Sequence, residues 1–192
     1  MIEKTFVLLK PDAVQRSIMG EILHRFEKTG LKIIGLKMVH ATKIVAGKHY
    51  ADDPAWLKSV GAKMKKAYAE KGVKIKETEQ SIGQKVRQQL ISFLTMSPAI
   101  AVCIEGHAAI EKVRAIVGAT APLNAMAGTI RGDFAFDSYG LADNLGRPIQ
   151  NLIHASDARE TAEKEIKLWF TKDELFPYKR VDEALLYRKE KK

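Results

Sequence analysis

The stretch Asn151-Leu152-Ile153-His154-Ala155-Ser156-Asp157-Ala158-Arg159-Glu160-Thr161-Ala162-Glu163-Lys164-Glu165-Ile166 carries more information about fold and chemistry than any other part of the chain. Asn151 to His154 reads as a short strand, and Asp157 to Phe170 as the helix that follows it. Asp157 and Glu160 stand at capping-box spacing, which would start that helix. On a helical wheel with Ala158 at zero, Trp169 falls at about 20°, Ala162 at about 40° and Ile166 at about 80°, which is an apolar stripe. Glu165 falls at about −20°, inside the stripe rather than opposite it. A carboxylate on a buried face costs free energy unless something pairs with it. His154, at the end of the strand, is the candidate partner. A carboxylate on one ring nitrogen would fix the tautomer and leave the other nitrogen as a nucleophile. Read alone, the pair fits a hydrogen-bonded structural histidine before it fits a catalytic one.

Outward from this stretch, strands and helices alternate. Lys4 to Leu9 predicts a strand ending at Lys10-Pro11, and Gly20 to Lys28 a helix closed by Gly30. Leu31 to Val39 predicts a second strand, and Lys43 to Tyr50 a short helix. The apolar run Ala99 to Ile104 suits a central strand, and Ala108 to Val117 an amphipathic helix stopped by Gly118. Two connections are longer than such a core needs. Residues 52 to about 80 are polar, lysine-rich and poor in strand signals, with six lysines and two glutamates between Ala62 and Thr78. Residues 137–150 carry Gly140, Gly146 and Pro148 in succession. Both read as loop-rich insertions on a single domain spanning 1–192, which ends in a basic tail, 187–192. Met64 and Tyr68, four apart, allow a short helix in the first insertion, set at the rim of a site or against a second subunit.

The chain has 192 residues, 46% hydrophobic and 29% charged, an ordinary globular balance. Its one cysteine, Cys103, excludes an intrachain disulfide and lies in an apolar run, as an inert buried thiol would. Thr5 to Leu9 is too short to cross a membrane, and a cytoplasmic protein is expected. The net charge of +9, concentrated in the first ninety residues, favours polyanionic partners. The glycine-rich phosphate loops G-x-x-x-x-G-K-[ST] and G-x-G-x-x-G are absent, so any phosphate must be handled by side chains. Arg114, Thr120 and Arg131 are candidates, because guanidinium forks grip phosphate oxygens bidentately and keep their charge. Lys10 ends a strand, where it could reach into a site. Tyr50 reads as a core aromatic with its hydroxyl at the surface. His24, His40, His49 and His107 show no partner pattern and read as structural or exposed.

Lys-Pro-Asp-Ala at 10–13 with Gln15-Arg16, His49-Tyr50, Thr-Ile-Arg-Gly-Asp-Phe at 129–134, Asn-Leu-Ile-His-Ala-Ser-Asp at 151–157 and Ala162-Glu-Lys-Glu165 together resemble nucleoside diphosphate kinase, from about residue 3 to 176. The resemblance reverses the structural reading of His154. It implies a ferredoxin-like α+β sandwich with a four-stranded antiparallel sheet, assembled as a homo-oligomer, hexamer or tetramer. It implies ping-pong transfer of a γ-phosphate from a nucleoside triphosphate to a nucleoside diphosphate through His154, oriented by Glu165 with Ser156 nearby. Asn151 and Lys10 would contact ribose hydroxyls, and Lys10 also phosphates. Arg114 and Thr120 would hold the β-phosphate, and Arg131 and Tyr50 would stand near the transferred phosphoryl. Mg²⁺ would arrive on the nucleotide phosphates, with no metal-ligating residues in the chain. The chain departs from the family where a phenylalanine stacks on the base. Counting back from Pro98 puts Val86 in that place, with Trp56, Tyr68 or Phe93 as substitutes. A second reading is a nucleic-acid-binding module, carried by the charge and the basic insertion. The lack of an aromatic-rich RNA-recognition strand weighs against it.

Overall fold

In the computed structural model, residues 2–50, 52–70, 72 and 74–188 are described. The strands are β1 (Ile2–Leu9), β2 (Lys32–Val39), β3 (Ala99–His107) and β4 (Ile153–Ala155). The helices are α1 (Pro11–Gln15), α2 (Met19–Glu27), α3 (Lys43–His49), α4 (Pro54–Glu70), α5 (Glu79–Leu94), α6 (Ala109–Val117), α7 (Ile130–Phe134), α8 (Tyr139–Asn144), α9 (Arg159–Trp169) and α10 (Glu183–Leu186). The strands form one sheet in the order β2-β3-β1-β4, with every pairing antiparallel. This is the expected α+β sandwich.

Side chains alternate across the sheet. Val7 and Leu9 of β1, with Val102 and Ile104 of β3, face a core closed by Ile22 and Phe26 of α2 and Val113 and Val117 of α6. Phe6 and Leu8, with Ala101 and Cys103, face a second core closed by Ala46 of α3, Leu94 of α5 and Ile166 and Trp169 of α9. Helices cover both faces, so β1 and β3 read as unbroken apolar runs rather than alternating ones. Cys103 is a free thiol in the second core, and burial pushes its pKa up to about 12.

Three expectations are corrected. The 52–80 segment is not loop-rich: most of it is α4, and α5 starts at Glu79. Asp53 starts α4 by accepting the Trp56 backbone N–H at 2.7 Å, with Pro54 opening the helix. Thr78 caps α5 through the Ser81 N–H at 3.2 Å. The two helices pack so closely that a Cβ on Gly61 would overlap the Glu79 backbone, and one on Gly83 the Leu57 carbonyl. Small residues at a crossing let backbones approach, and this pattern is invisible to hydrophobic periodicity. Second, the capping box is absent: α9 begins at Arg159, after Ala158 in extended conformation with no side-chain cap. Third, β4 starts two residues later than expected, because Asn151 and Leu152 form a turn with Leu152 at φ 68°. Of the basic tail, residues 189–192 lie outside the described residues, as does Val73 in the first insertion.

The second insertion is a short helix, α8, clasped at its base. Asp137, fully buried, accepts from Arg147 Nη1 at 2.5 Å and from the Gln150 N–H at 2.7 Å. Arg147 holds the Asp137 carboxyl below its usual range, with help from the backbone donors, against the opposing cost of burial. The insertions touch each other: Tyr68 of α4 hydrogen-bonds Asp143 of α8, and Gln89 Nε2 of α5 donates to the Gly146 carbonyl at 3.2 Å. No helix among the described residues is long and apolar enough to cross a membrane.

Candidate active site

The end of β1, the turn into β4, the end of α3 and the loop after α6 border one cleft of about 790 Å³. Lys10 leaves β1 buried, and its Nζ donates to Asn151 Oδ1 at 2.7 Å. Asn151 Nδ2 in turn donates to the Thr120 carbonyl at 2.8 Å. Leu152, between Asn151 and the strand, sits in the left-handed region that non-glycine residues avoid. It is held there from both sides: its N–H donates to Asp12 Oδ2 at 2.9 Å, and its carbonyl accepts from the Lys10 N–H at 2.8 Å. The Lys10-Pro11-Asp12 corner and the Asn151-Leu152 turn therefore fix each other, although the sequence separates them by some 140 residues.

His154 follows on β4, half-buried. Its Nε2 is 2.7 Å from Glu165 Oε1. Glu165 is 7% exposed, on the apolar stripe of α9 where the wheel placed it. Its second oxygen accepts from Ser156 Oγ at 2.5 Å. A carboxylate can only accept, so the proton lies on His154 Nε2 and Nδ1 keeps its lone pair. Ser156 is fully buried behind Glu165 and does not border the cleft, so its part is to hold the carboxylate.

Arg131 projects from α7, whose start is capped by Thr129 accepting the Gly132 N–H at 3.1 Å. Its guanidinium donates to three carbonyls: Asn151 at 3.2 Å, Gly118 at 2.9 Å and Ile153 at 2.5 Å. It thus ties the loop after α6 to the turn that carries Asn151, while still bordering the cleft. Arg114 and Thr120, both exposed, border the same cleft. Burial, then the charge of Arg131, pulls the Lys10 pKa down to about 8. Burial, then Arg114, pulls Arg131 down to about 10. Burial pushes the Asp12 carboxyl up, with Lys10 opposing. Four cations, Lys10, Lys63, Arg114 and Arg131, therefore border the cleft together with the carboxylates of Asp53, Asp157 and Glu165.

Two groups lie deeper than expected. The Tyr50 hydroxyl is buried without a hydrogen-bond partner among the described residues, rather than at the surface, and burial raises its pKa. His49, read as structural or exposed, borders the cleft with its ring centroid 4.6 Å from that of His154. The residue pattern alone places neither, because their neighbours come from β1, β4 and α9, although the resemblance puts Tyr50 near the transferred phosphoryl. Trp56, Asp53 and Lys63 of the α4 region border the cleft as well. Among the residues weighed for an aromatic platform, Trp56 alone borders the cleft: Phe93 is in the core, Tyr68 is engaged with Asp143, and Val86 lies elsewhere on α5.

The family model for nucleoside diphosphate kinase matches residues 3–56 and 55–175, and its break falls at the start of α4. A nucleoside diphosphate kinase from Pyrobaculum aerophilum is 42% identical over 179 residues, covering 91% of this chain and 98% of its own. One from Pyrococcus abyssi is 41% identical over 189 residues, covering 97% and 95%. The solved structure of an NDP kinase from Pyrobaculum aerophilum aligns with TM-score 0.89 at 41% identity, over 92% of this chain and all of that one. A nucleoside-diphosphate kinase from Borrelia burgdorferi, solved as a transition state mimic with bound vanadate and ADP, aligns with TM-score 0.79 at 34% identity over 96% of each chain.

Proposed function

The chain belongs to the nucleoside diphosphate kinase family, an enzyme that moves phosphate between nucleotides, and from that premise we propose how its cleft performs the transfer. The observation that carries the proposal is the Ser156–Glu165–His154 chain of hydrogen bonds, which leaves His154 Nδ1 as the unprotonated nitrogen. In the first half-reaction Nδ1 attacks the γ-phosphorus of a nucleoside triphosphate. The N–P bond forms as the bridging P–O bond breaks, and its electron pair leaves on the nucleoside diphosphate. In the second half-reaction a terminal phosphate oxygen of another nucleoside diphosphate attacks the same phosphorus, and the N–P bond breaks. The Nε2–H···Glu165 bond stabilises the positive charge that the ring takes on while phosphorylated.

Phosphoryl transfer asks mainly for positioning and charge neutralisation. Lys10, Arg114 and Arg131 supply the charge. Thr120 holds the β-phosphate side, Asn151 and Lys10 reach the ribose hydroxyls, and Tyr50 meets the transferred phosphoryl. Trp56, which borders the cleft, offers the aromatic face for the base. Mg²⁺ is substrate-borne in this reading. It prefers oxygen ligands, whereas the one cluster of metal donors among the described residues is His49, His154 and Glu165, whose carboxylate is already engaged. The phosphates therefore carry the ion. A homo-oligomer, hexamer or tetramer, is supported by Leu123 and Met126, both more than three-quarters exposed beside the site loop. A cytoplasmic, single-domain enzyme with two helical insertions completes the reading.

The test is His154→Ala. It should abolish transfer while leaving melting behaviour and nucleotide binding close to wild type. Wild-type-like turnover in that variant would end the phosphohistidine assignment.

A further inference from the structure

We infer that His49 is a further catalytic residue, its Nε2–H donating a hydrogen bond to an oxygen of the phosphoryl group while His154 carries that group. The inference rests on the proposed role of His154 and adds a donor to it. His49 ends α3, and its side chain is 1% exposed. Trp169 Nε1 lies 3.4 Å from His49 Nδ1. An indole nitrogen can only donate, so Nδ1 is the accepting nitrogen and the proton resides on Nε2. Glu165 Oε1, 3.6 Å from Nδ1, is beyond hydrogen-bond reach and does not compete for it. Nε2 is buried with no hydrogen-bond partner among the described residues.

A buried donor without an acceptor is costly, and proteins rarely leave one unless a ligand completes it. The space this ring borders is the cleft, and the group beside it is the His154 ring, edge-on at an interplanar angle of 83°. A phosphoryl on His154 Nδ1 brings three oxygens into that space. Burial, then the neighbouring His154 and Lys10, keeps His49 neutral. Neutrality suits the role: a second cation beside His154 would oppose the positive charge that its ring acquires when phosphorylated. No proton moves. His49 contributes a hydrogen bond that strengthens as the phosphoryl approaches His154, whereas Lys10 and Arg114 already hold the phosphates of the bound nucleotide.

The experiment compares His49→Phe, which fills the ring's volume without a donor, with His49→Gln, which keeps one. Two affinities are measured, for ADP alone and for ADP with orthovanadate, together with the single-turnover rate of His154 phosphorylation by ATP. His49→Phe should bind ADP within about 2-fold of wild type, lose the tightening that vanadate brings, and phosphorylate about 10²-fold more slowly. His49→Gln should recover part of both losses. Wild-type vanadate tightening and phosphorylation rate in His49→Phe would overturn the inference. So would parallel loss of ADP and vanadate binding in both variants, which would mark a packing role. Nitrogen-15 NMR of the unmodified enzyme tests it without any variant. The His49 proton should be found on Nε2 and its resonance should shift when His154 is phosphorylated. A proton on Nδ1, or an unmoved resonance, would overturn the inference. A phosphoenzyme must be present for either reading, so failure at His49 leaves the His154 assignment standing.

Discussion

Glu165 shows what one misplaced residue can reveal. An acidic side chain inside the apolar stripe of a helix has no structural justification unless a partner waits for it, and here Ser156 and His154 take its two oxygens. Glu165→Gln keeps a hydrogen bond but removes the charge. We expect a fall in turnover of roughly 10–100-fold with nucleotide affinity nearly unchanged. Pre-steady-state kinetics checks this, and loss of affinity at constant rate would contradict it. Lys10 makes a second prediction at this scale. Its depressed pKa, about 8, means that the free enzyme loses this cation as pH rises through that value. The ratio kcat/KM, which reports free-enzyme ionisations, should therefore fall above about pH 8, and Lys10→Arg should move that limb to higher pH. The stability effect has the opposite slope. Between about 8 and the ordinary 10.5 the unfolded chain binds more protons, so the cost of burying Lys10 fades as pH rises through that window. Lys10, Asn151, His154 and Glu165 were legible because each carries a chemical oddity in its own stretch. His49 stood in the sequence only as half of a His49-Tyr50 motif, and its part acquires meaning from Trp169, 120 residues away.

Among the elements, the four strands and the helices α2, α3, α6 and α9 were readable to within a few residues, because glycines and apolar runs mark them, whereas the short α1, α7, α8 and α10 were not read. The α4–α5 pair was not. Its close approach is built on Gly61 and Gly83, which carry no hydrophobic signal, and lysines interrupt the apolar pattern of α4. The pair is tied to the site through Arg87, which donates to the Tyr50 carbonyl at 2.6 Å and the Gly47 carbonyl at 3.0 Å. Gly61→Ala should cost about 1–3 kcal/mol by forcing the helices apart. It should also raise KM, since Trp56 and Lys63 move with α4, while phosphohistidine formation at saturating ATP persists. Denaturant titration and steady-state kinetics on the same variant check both halves. The turn at Leu152 is the other element-level surprise. Asp12→Ala removes the acceptor for the Leu152 N–H and should cost about 1–3 kcal/mol, read as a lowered Tm.

The net charge of the whole molecule is +9, and a few of its cations meet at the site. Lys10, Arg114, Arg131 and Lys63 all border one cleft, with Lys63 contributed by the first insertion. Long-range attraction of nucleotide phosphates should make KM rise with ionic strength, and Lys63→Ala should flatten that dependence. An unchanged salt slope would show that α4 does not steer substrate. The first insertion meets the second through Tyr68–Asp143, and Gln89 of α5 adds a bond to Gly146, so the two are joined rather than independent loops. The measurement that bears most directly on the account is incubation with γ-labelled ATP. The account predicts one acid-labile phosphoryl per active site, absent from His154→Ala and discharged by a nucleoside diphosphate to give the labelled triphosphate. Label that persists in His154→Ala, or that no nucleoside diphosphate can remove, would contradict it.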